Sequence, residues 1–418
     1  MSSSVKNVLV VVLLLTLISV APPIASAVVL APNLLEVKPE VILKLAGSNT
    51  IGAKLAPALA SDYLKRLGSI GTIKKKLENE NEFQVVGFLP NENRVVAIEI
   101  KAHGSTTGFQ SLIAKDSDIA MSSRGIREQE NLELLLDLGD MTKPESEHII
   151  ALDGLAVIAH PDNSVKQLTV NDLAAIFSGQ ITNWSELGGA NVAITLHARD
   201  DQSGTYDTFN SLVLKKIGQK LAELPKQFSI SSEDYALSRR LFLYANKDRS
   251  HNRHVNDFIE LAVSKEGQKM VELVEFVPQK ITSSLAVETD DYPSKYRKIA
   301  AVGKRLSMTF RMRSDRAEID NKSVQDIEHL VDYLSKQSHK KVTLVGFSAG
   351  ESNDERADKN RAFNRSRLLA HELKVRGVRN VEIIALGNQL PIDSNGNEIG
   401  RYKNNRTEVW LIESSESS

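Results

Sequence analysis

The stretch ITLHARDDQSGTYDTF, Ile194 to Phe209, decides how most of this 418-residue chain is read. It puts Arg199, Ser203, Gly204 and Thr205 where a β-strand gives way to a helix. The first turn of a helix carries unpaired N–H groups and the positive end of the macrodipole, so it suits an oxyanion. Arg199 adds a fork of donors that grips two oxygens together. Two more Ser/Thr/Gly clusters lie upstream, AGSNTIG (Ala46 to Gly52) and HGSTTG (His103 to Gly108), with the same chemistry. The expectation is three clusters converging on one anion. Taken singly, each is more simply an N-cap or turn, where Ser, Thr and Gly are common.

Outward from these clusters, the chain reads as strand–helix units. Val41 to Leu45 is an apolar strand, and Leu55, Leu59, Tyr63 and Leu64 recur at helical spacing behind it. VVAIEIKAHGSTTGFQSLIA, SDIAMSSRGI and IIALDGLAVIAH continue the alternation, which predicts α/β layering on a mostly parallel sheet. VNDLAAIFSGQITNWSELGG (Val170 to Gly189) reads as helix, Gly turn and short helix. SKEGQKMVELVEFVP (Ser264 to Pro278) is a closing amphipathic helix. A polar run with a proline, TDDYPSKYRK (Thr289 to Lys298), predicts a linker over 286–304. From 305 to 415 a second pattern follows, β-α-β-α-β-β: TFRMRSD as a strand, VQDIEHLVDYLSKQ with Ile327, Leu330, Val331 and Leu334 on one face, KVTLVGFSAG, a helix closed by Gly377, then VEIIALG and TEVWLIE.

Composition narrows the function. A net charge of -1 argues against general nucleic-acid binding. The absence of cysteine excludes disulfides, thiolate metal sites, a cysteine nucleophile and a lipidated cysteine. At the N-terminus, Lys6, the apolar run Val8 to Ala21, Pro22-Pro23 and Ala25-Ser26-Ala27 have the three-part layout of a secretory signal peptide, residues 1–27. A retained anchor is the alternative, but the run is short for a span. No later segment is long and apolar enough to cross a bilayer, so no stable transmembrane segment is expected after cleavage.

Residues 41–285 resemble the PstS-like periplasmic phosphate-binding proteins of ABC transporters, the class II solute-binding proteins. The landmarks are AGSNT, HGSTTG, DIAMSSRGI, VNDLAAIFSGQITNW, ARDDQSGTYDTF and SKEGQKMVELVEFVP, in that family's order. The resemblance implies a two-lobed periplasmic-binding-protein fold with the ligand in the cleft, and an ABC permease as a partner. It implies donors from Ser48, Asn49, Thr50 and Ser105, with Arg199, Ser203, Gly204 and Thr205 closing from the other lobe. One position departs. Where the family commonly has an aspartate that accepts the proton of a monoprotonated phosphate, this chain has Ser123, which would not repel a fully ionised anion. Phosphate or a related oxyanion is therefore the expected ligand.

Residues 305–415 resemble the α+β OmpA-like domain that binds peptidoglycan. The residues that carry this are LVGFSAG, NRAFNRSRLLAHEL, Gly377-Val378, ALGNQLPIDSN and GRYKNNRTEVWL. In that family an Asp and an Arg hold the diaminopimelate of the stem peptide. Here the Asp position is Ala349, with Asp354 or Asp358 as substitutes from the loop. The Arg is Arg365 or Arg367; Arg365 leaves Ala362, Ser366, Leu369 and Leu373 as a buried stripe. Arg406 completes the expected wall-binding set. The alternative is a solvated basic face on a domain that keeps the fold alone.

Other chemistry finds little support. His251 and His254 are three apart but lack further ligands at metal-site spacing, so no metal site is expected. Ser203 lies in QSGT, not in a nucleophile elbow. No cofactor and no catalysis are expected; a phosphoester hydrolase on the same cleft would need a base or a metal. Two functions remain: an oxyanion-binding protein of the periplasm, associated with the cell wall or outer membrane through its second domain, or a structural envelope protein whose binding fold serves adhesion.

Overall fold

Strand β1 (Glu40–Gly47) lies at the centre of the first domain, fixed there by the apolar run Ile42, Leu43, Leu45 and Ala46. The structure is a computed structural model that describes residues 32–197, 209, 212–213, 227–235, 237–246, 252–286, 292–312, 319–337, 340–350, 354–393, 395–396 and 398–413. The expected signal segment 1–27 lies outside them. The other strands are β2 (Thr72–Lys76), β3 (Glu82–Leu89), β4 (Arg94–Lys101), β5 (Ile119–Ser122), β6 (Glu147–Gly154) and β7 (Ser238–Tyr244), in the order β2-β3-β4-β1-β5-β7-β6. Among the described residues the α-helices of this domain are α1 (Ala56–Arg66), α2 (Ser105–Ile113), α3 (Glu128–Leu138), α4 (Val170–Phe177), α5 (Gln227–Ser231), α6 (Arg253–Val263) and α7 (Lys265–Leu273).

The sheet is mixed, which corrects the expectation of a mostly parallel one. Strand β1 runs parallel to β4 and β5, but β2–β3, β3–β4, β5–β7 and β6–β7 are antiparallel. The connections from β2 to β3 and from β3 to β4 are short turns, and a turn that short returns the chain only in the opposite direction.

Helices α1, α6 and α7 cover one face, where Leu59, Tyr63, Phe258 and Val271 meet Leu43, Leu45, Leu241 and Leu243. On the other face, Phe109 of α2 and Leu134 of α3 meet Ala120, Ile149, Phe242 and Tyr244. Strand β7 therefore serves both faces by alternation. The chain leaves the sheet through β6 and returns through β7. Between them, Val170, Leu173, Leu212, Val213, Ile230 and Tyr235 form a separate apolar cluster, the core of a second lobe.

The second domain is a five-stranded sheet in the order β11-β10-β12-β9-β8. Its elements are β8 (Ser283–Leu285), α8 (Ser294–Val302), β9 (Gly303–Arg311), α9 (Asn321–Ser335), β10 (Lys340–Phe347), α10 (Glu355–Val375), β11 (Val381–Gly387), α11 (Glu398–Asn404) and β12 (Arg406–Glu413). Strands β10 and β11 are parallel; the remaining pairings are antiparallel. Helices α9 and α10 cover one face through Ile327, Leu330, Leu334, Leu369 and Leu373.

The other face is covered by α8, within the segment expected as a linker. Tyr296, Ile299 and Ala300 recur at i, i+3 and i+4 and pack on Val345, Phe347 and Trp410. The polar residues of 289–298 mask this three-residue stripe in the sequence. Helix α11, a further addition to the expected pattern, precedes the last strand. Among the described residues no helix is long and apolar enough to cross a membrane.

Candidate functional site

At the end of β1 the chain turns sharply into a helix that begins at Asn49. Gly47 makes that turn at φ +130°, with its carbonyl accepting from Gly104 N at 2.8 Å while Ser48 N donates to Met121 O at 2.8 Å. A Cβ on Gly47 would lie 2.1 Å from the Met121 oxygen, so only glycine fits. Gly108, in α2, has the same requirement: a Cβ there would lie 2.7 Å from Ala46 O. These two close approaches bring the start of α2 beside the start of the Asn49 helix, at the carboxyl ends of β1 and β5.

Three expected hydroxyls meet there. Ser105 Oγ accepts from Ser123 N at 3.1 Å and lies 3.4 Å from Ser123 Oγ. Ser48, Ser105 and Ser123 are all buried. Ser48 Oγ and the neighbouring Asn49 Oδ1 are buried without a hydrogen-bond partner. An unpaired buried polar group is costly and the Ser48 hydroxyl can donate, so its retention beside two helix N-termini fits a seat for an outside acceptor.

Thr50 is held by a residue that the sequence reading missed. Arg239, on β7, donates through Nη2 to Thr50 Oγ1 at 3.2 Å and through Nε and Nη2 to Asp153 Oδ2 at 2.9 and 2.7 Å. Asp153 and Arg239 face each other across β6 and β7. Arg124, next to Ser123, is occupied: Glu130 takes it through two oxygens at 2.8 and 2.7 Å, and Thr106 Oγ1 accepts at 3.0 Å. Arg199, Ser203, Gly204 and Thr205 lie outside the described residues. His251 does as well, while His254 Nδ1 is 2.8 Å from Tyr63 OH, and burial lowers its imidazole from the ordinary value.

In the second domain, Arg365 Nη1 and Ala349 N both donate to Asn405 Oδ1, at 2.7 and 2.9 Å, so Arg365 stands beside the GFSAG turn. Arg367 is exposed. Asp358 is fully buried and pairs with Arg361, and Asp358 Oδ2 and Ser348 Oγ lack hydrogen-bond partners. Asp354 is the N-cap of α10, accepting from Arg356 N at 2.9 Å. Arg406 is interior: Nε donates to Glu408 Oε1 at 3.1 Å, Nη2 to Leu390 O at 3.0 Å, and its guanidinium lies 3.8 Å from the Phe347 ring centroid.

Residues 90–227 match the family model for a PBP superfamily domain, and this part of the chain is PBP-like. Phosphate-binding protein PstS of Borreliella burgdorferi is 31% identical over 125 residues, 30% of this chain and 41% of that protein. Phosphate-binding protein PstS of Staphylococcus epidermidis is 28% identical over 248 residues, 47% of this chain and 74% of that protein. The chain thus spans about two fifths of the first of these relatives. Among solved structures, an ABC-type phosphate transport receptor from Vibrio cholerae is similar with TM-score 0.43 and 20% identity, over 56% of this chain and 99% of that one. The peptidoglycan-associated lipoprotein from Burkholderia pseudomallei is similar with TM-score 0.23 and 15% identity, over 25% of this chain and 88% of that one.

Proposed function

We propose that this chain binds phosphate or a related oxyanion between the lobes of its first domain, outside the cytoplasm, and is held near the cell wall by its second domain. The observation that carries the anion reading is the cluster of buried Ser48, Ser105 and Ser123 at two helix starts, with the Ser48 hydroxyl unpaired. Thr50 and Arg239 extend the cluster, and the resemblance to the phosphate-binding family assigns Arg199, Ser203, Gly204 and Thr205 to the same ligand. Neutral donors and few cations bind an oxyanion without a large excess of charge. Phosphate is the ligand named for the curated relatives. Ser123, which offers a hydroxyl in place of a carboxylate, admits sulfate as well.

Wall attachment draws on Arg365 beside the GFSAG turn and on the buried, incompletely bonded Asp358. Ala349 favours a second reading for this domain, a scaffold without the wall ligand, since the acid of the family pattern is missing there. An ABC permease remains a proposed partner of the first domain.

Calorimetry on the full chain with phosphate, sulfate and arsenate tests the anion reading. Binding of phosphate that is lost in Arg199→Ala is expected; no heat with any of the three would remove it. Sedimentation with purified peptidoglycan tests the second domain: retention that falls in Arg365→Ala supports attachment, and no retention of the unaltered chain leaves the scaffold reading.

A further inference from the structure

Arg239 and Arg240 are neighbours on β7, and alternation sends them to opposite faces. Arg239 turns to Thr50 and Asp153. Arg240 turns to the second domain, where Nη1 pairs with Asp320 Oδ2 at 2.8 Å; its Nε and Nη2 also hold Glu233 at 2.7 and 2.9 Å. Glu233 in turn pairs with Arg311 of β9 at 2.9 Å, and Arg311 donates to Ser232 O and Glu233 O at 3.1 and 3.2 Å. Arg305, also on β9, pairs with Asp234 at 2.7 Å. Tyr402 of α11 donates to Asp320. Arg311 is 1% exposed. Cations and carboxylates from two domains thus interleave in one buried seam.

The seam's position gives it a mechanical meaning. Residues 232–234 lie at the root of the second lobe, immediately before β7. At the opposite end of the β6–β7 pair, Asn321 Nδ2 of α9 donates to Thr142 O at 2.8 Å and to Glu147 Oε1 at 3.0 Å. Glu147 Oε2 accepts from Tyr244 OH at 2.8 Å. Glu147 pairs with Tyr244 across the ladder and Gly154 with Ser238, so the contacts span the length of these strands. Strands β6 and β7 are among the connections between the lobes. A rigid body fastened at both of their ends resists the twisting and bending that a change in lobe angle requires.

We propose that the second domain is a brace across the lobe connection and sets the open–closed balance of the anion cleft. It acts through the Arg305–Asp234 pair and the Arg311–Glu233–Arg240–Asp320 chain on one side and Asn321 on the other. Arg240 is then a positioning residue, because the strand it fixes carries Arg239 to Thr50. Linkage makes the effect reciprocal: closure around an anion alters how tightly the seam is held. The lobe geometry stands without the phosphate reading; the anion's part in it rests on that reading.

The chain has no cysteine, so Lys65→Cys on α1 and Ala190→Cys in the second lobe give two specific spin-label sites. Interlobe distances are measured by electron–electron resonance in the full chain, with and without inorganic phosphate. One variant removes contacts (Asp234→Asn with Asn321→Ala), and a second introduces repulsion or charge mismatch (Asp234→Lys with Asn321→Asp). A shifted or broadened distance distribution without phosphate is expected in both, with a change in phosphate Kd of about fivefold or more. Distributions matching the unaltered chain in both variants would overturn the brace. If the variants shift the distances while phosphate shifts none, the brace stands and the anion reading falls.

Discussion

The anion seat and the interdomain seam use the same strand and opposite chemistry. On one face of β7 the polar groups are hydroxyls and a single Arg239–Asp153 pair, and the Ser48 hydroxyl remains unpaired. On the other face Arg240, Arg305 and Arg311 meet Glu233, Asp234 and Asp320. A region whose charges are answered by the chain itself holds the structure together. Single buried atoms without a hydrogen-bond partner occur in both regions, Ser48 Oγ in the seat and Arg305 Nε, Arg311 Nε and Asp234 Oδ1 in the seam. Each of those seam groups is already paired with an opposite charge, whereas the Ser48 hydroxyl has no partner among the described residues. The contrast separates binding from support more sharply than burial, which both regions share.

Removing Arg311 is the strongest way to break this contrast. Arg311→Met leaves Glu233 and two carbonyls facing an uncharged side chain, and a loss of about 3–5 kcal/mol is expected on denaturant unfolding. A loss below about 1 kcal/mol would mean that water enters the seam.

Acid is the next test. Burial raises the Glu233 carboxyl, but Arg240, Arg311 and Lys322 outweigh it and hold the group well below its ordinary range. Burial likewise opposes ionisation of Asp234, outweighed by Arg305 and Arg406, and of Asp320, outweighed by Arg240. Carboxyls depressed in the folded state contribute stability that is present above their unfolded pKa, about 4, and lost as pH falls toward their folded values. Glu147, raised by burial, has the opposite sign and opposes folding as pH rises through the carboxylate range. Stability is therefore expected to fall below about pH 4, with a shallower slope in Arg311→Met; equal slopes would assign the acid sensitivity elsewhere.

On the seat side the effects are smaller. Thr50→Val removes one hydroxyl next to Arg239, and phosphate affinity measured by calorimetry is expected to fall about tenfold, the size of one hydrogen bond to a charged group. Unchanged affinity would place Thr50 outside the seat. The smallest effect is expected at Lys54, whose 3.4 Å pair with Glu275 is open to solvent on both sides. Lys54→Met should alter unfolding by less than about 0.5 kcal/mol.

The local parts of this fold are legible in the sequence. The apolar run of β1, the Leu59/Tyr63 spacing of α1 and the Ser/Thr/Gly turns each declare themselves within a few residues. Long-range pairings do not. Asp153 and Arg239 are brought together by two strands of different origin in the chain, and neither belongs to a motif the residues alone would mark. The seam was hidden for another reason. In KRLSMTFRMR, Arg305, Ser307, Thr309 and Arg311 alternate with Leu306, Met308 and Phe310, which signals two faces. Alternation says that one face is polar, not that another domain covers it. Helix α8 was obscured because its three apolar positions sit among lysines, arginine and a proline.

Strand β8 has a practical consequence for anyone dividing the molecule. Its three residues, Ser283 to Leu285, pair with Leu306, Arg305 and Lys304, and so belong to the sheet of the following domain. A cut at the expected boundary after Leu285 strands them on the wrong fragment. The C-terminal piece then presents an open row of amides and carbonyls along β9, an invitation to self-association that the intact chain has covered. Clumping of such a fragment would be a product of where the scissors fell, and a start ahead of Thr282 avoids it.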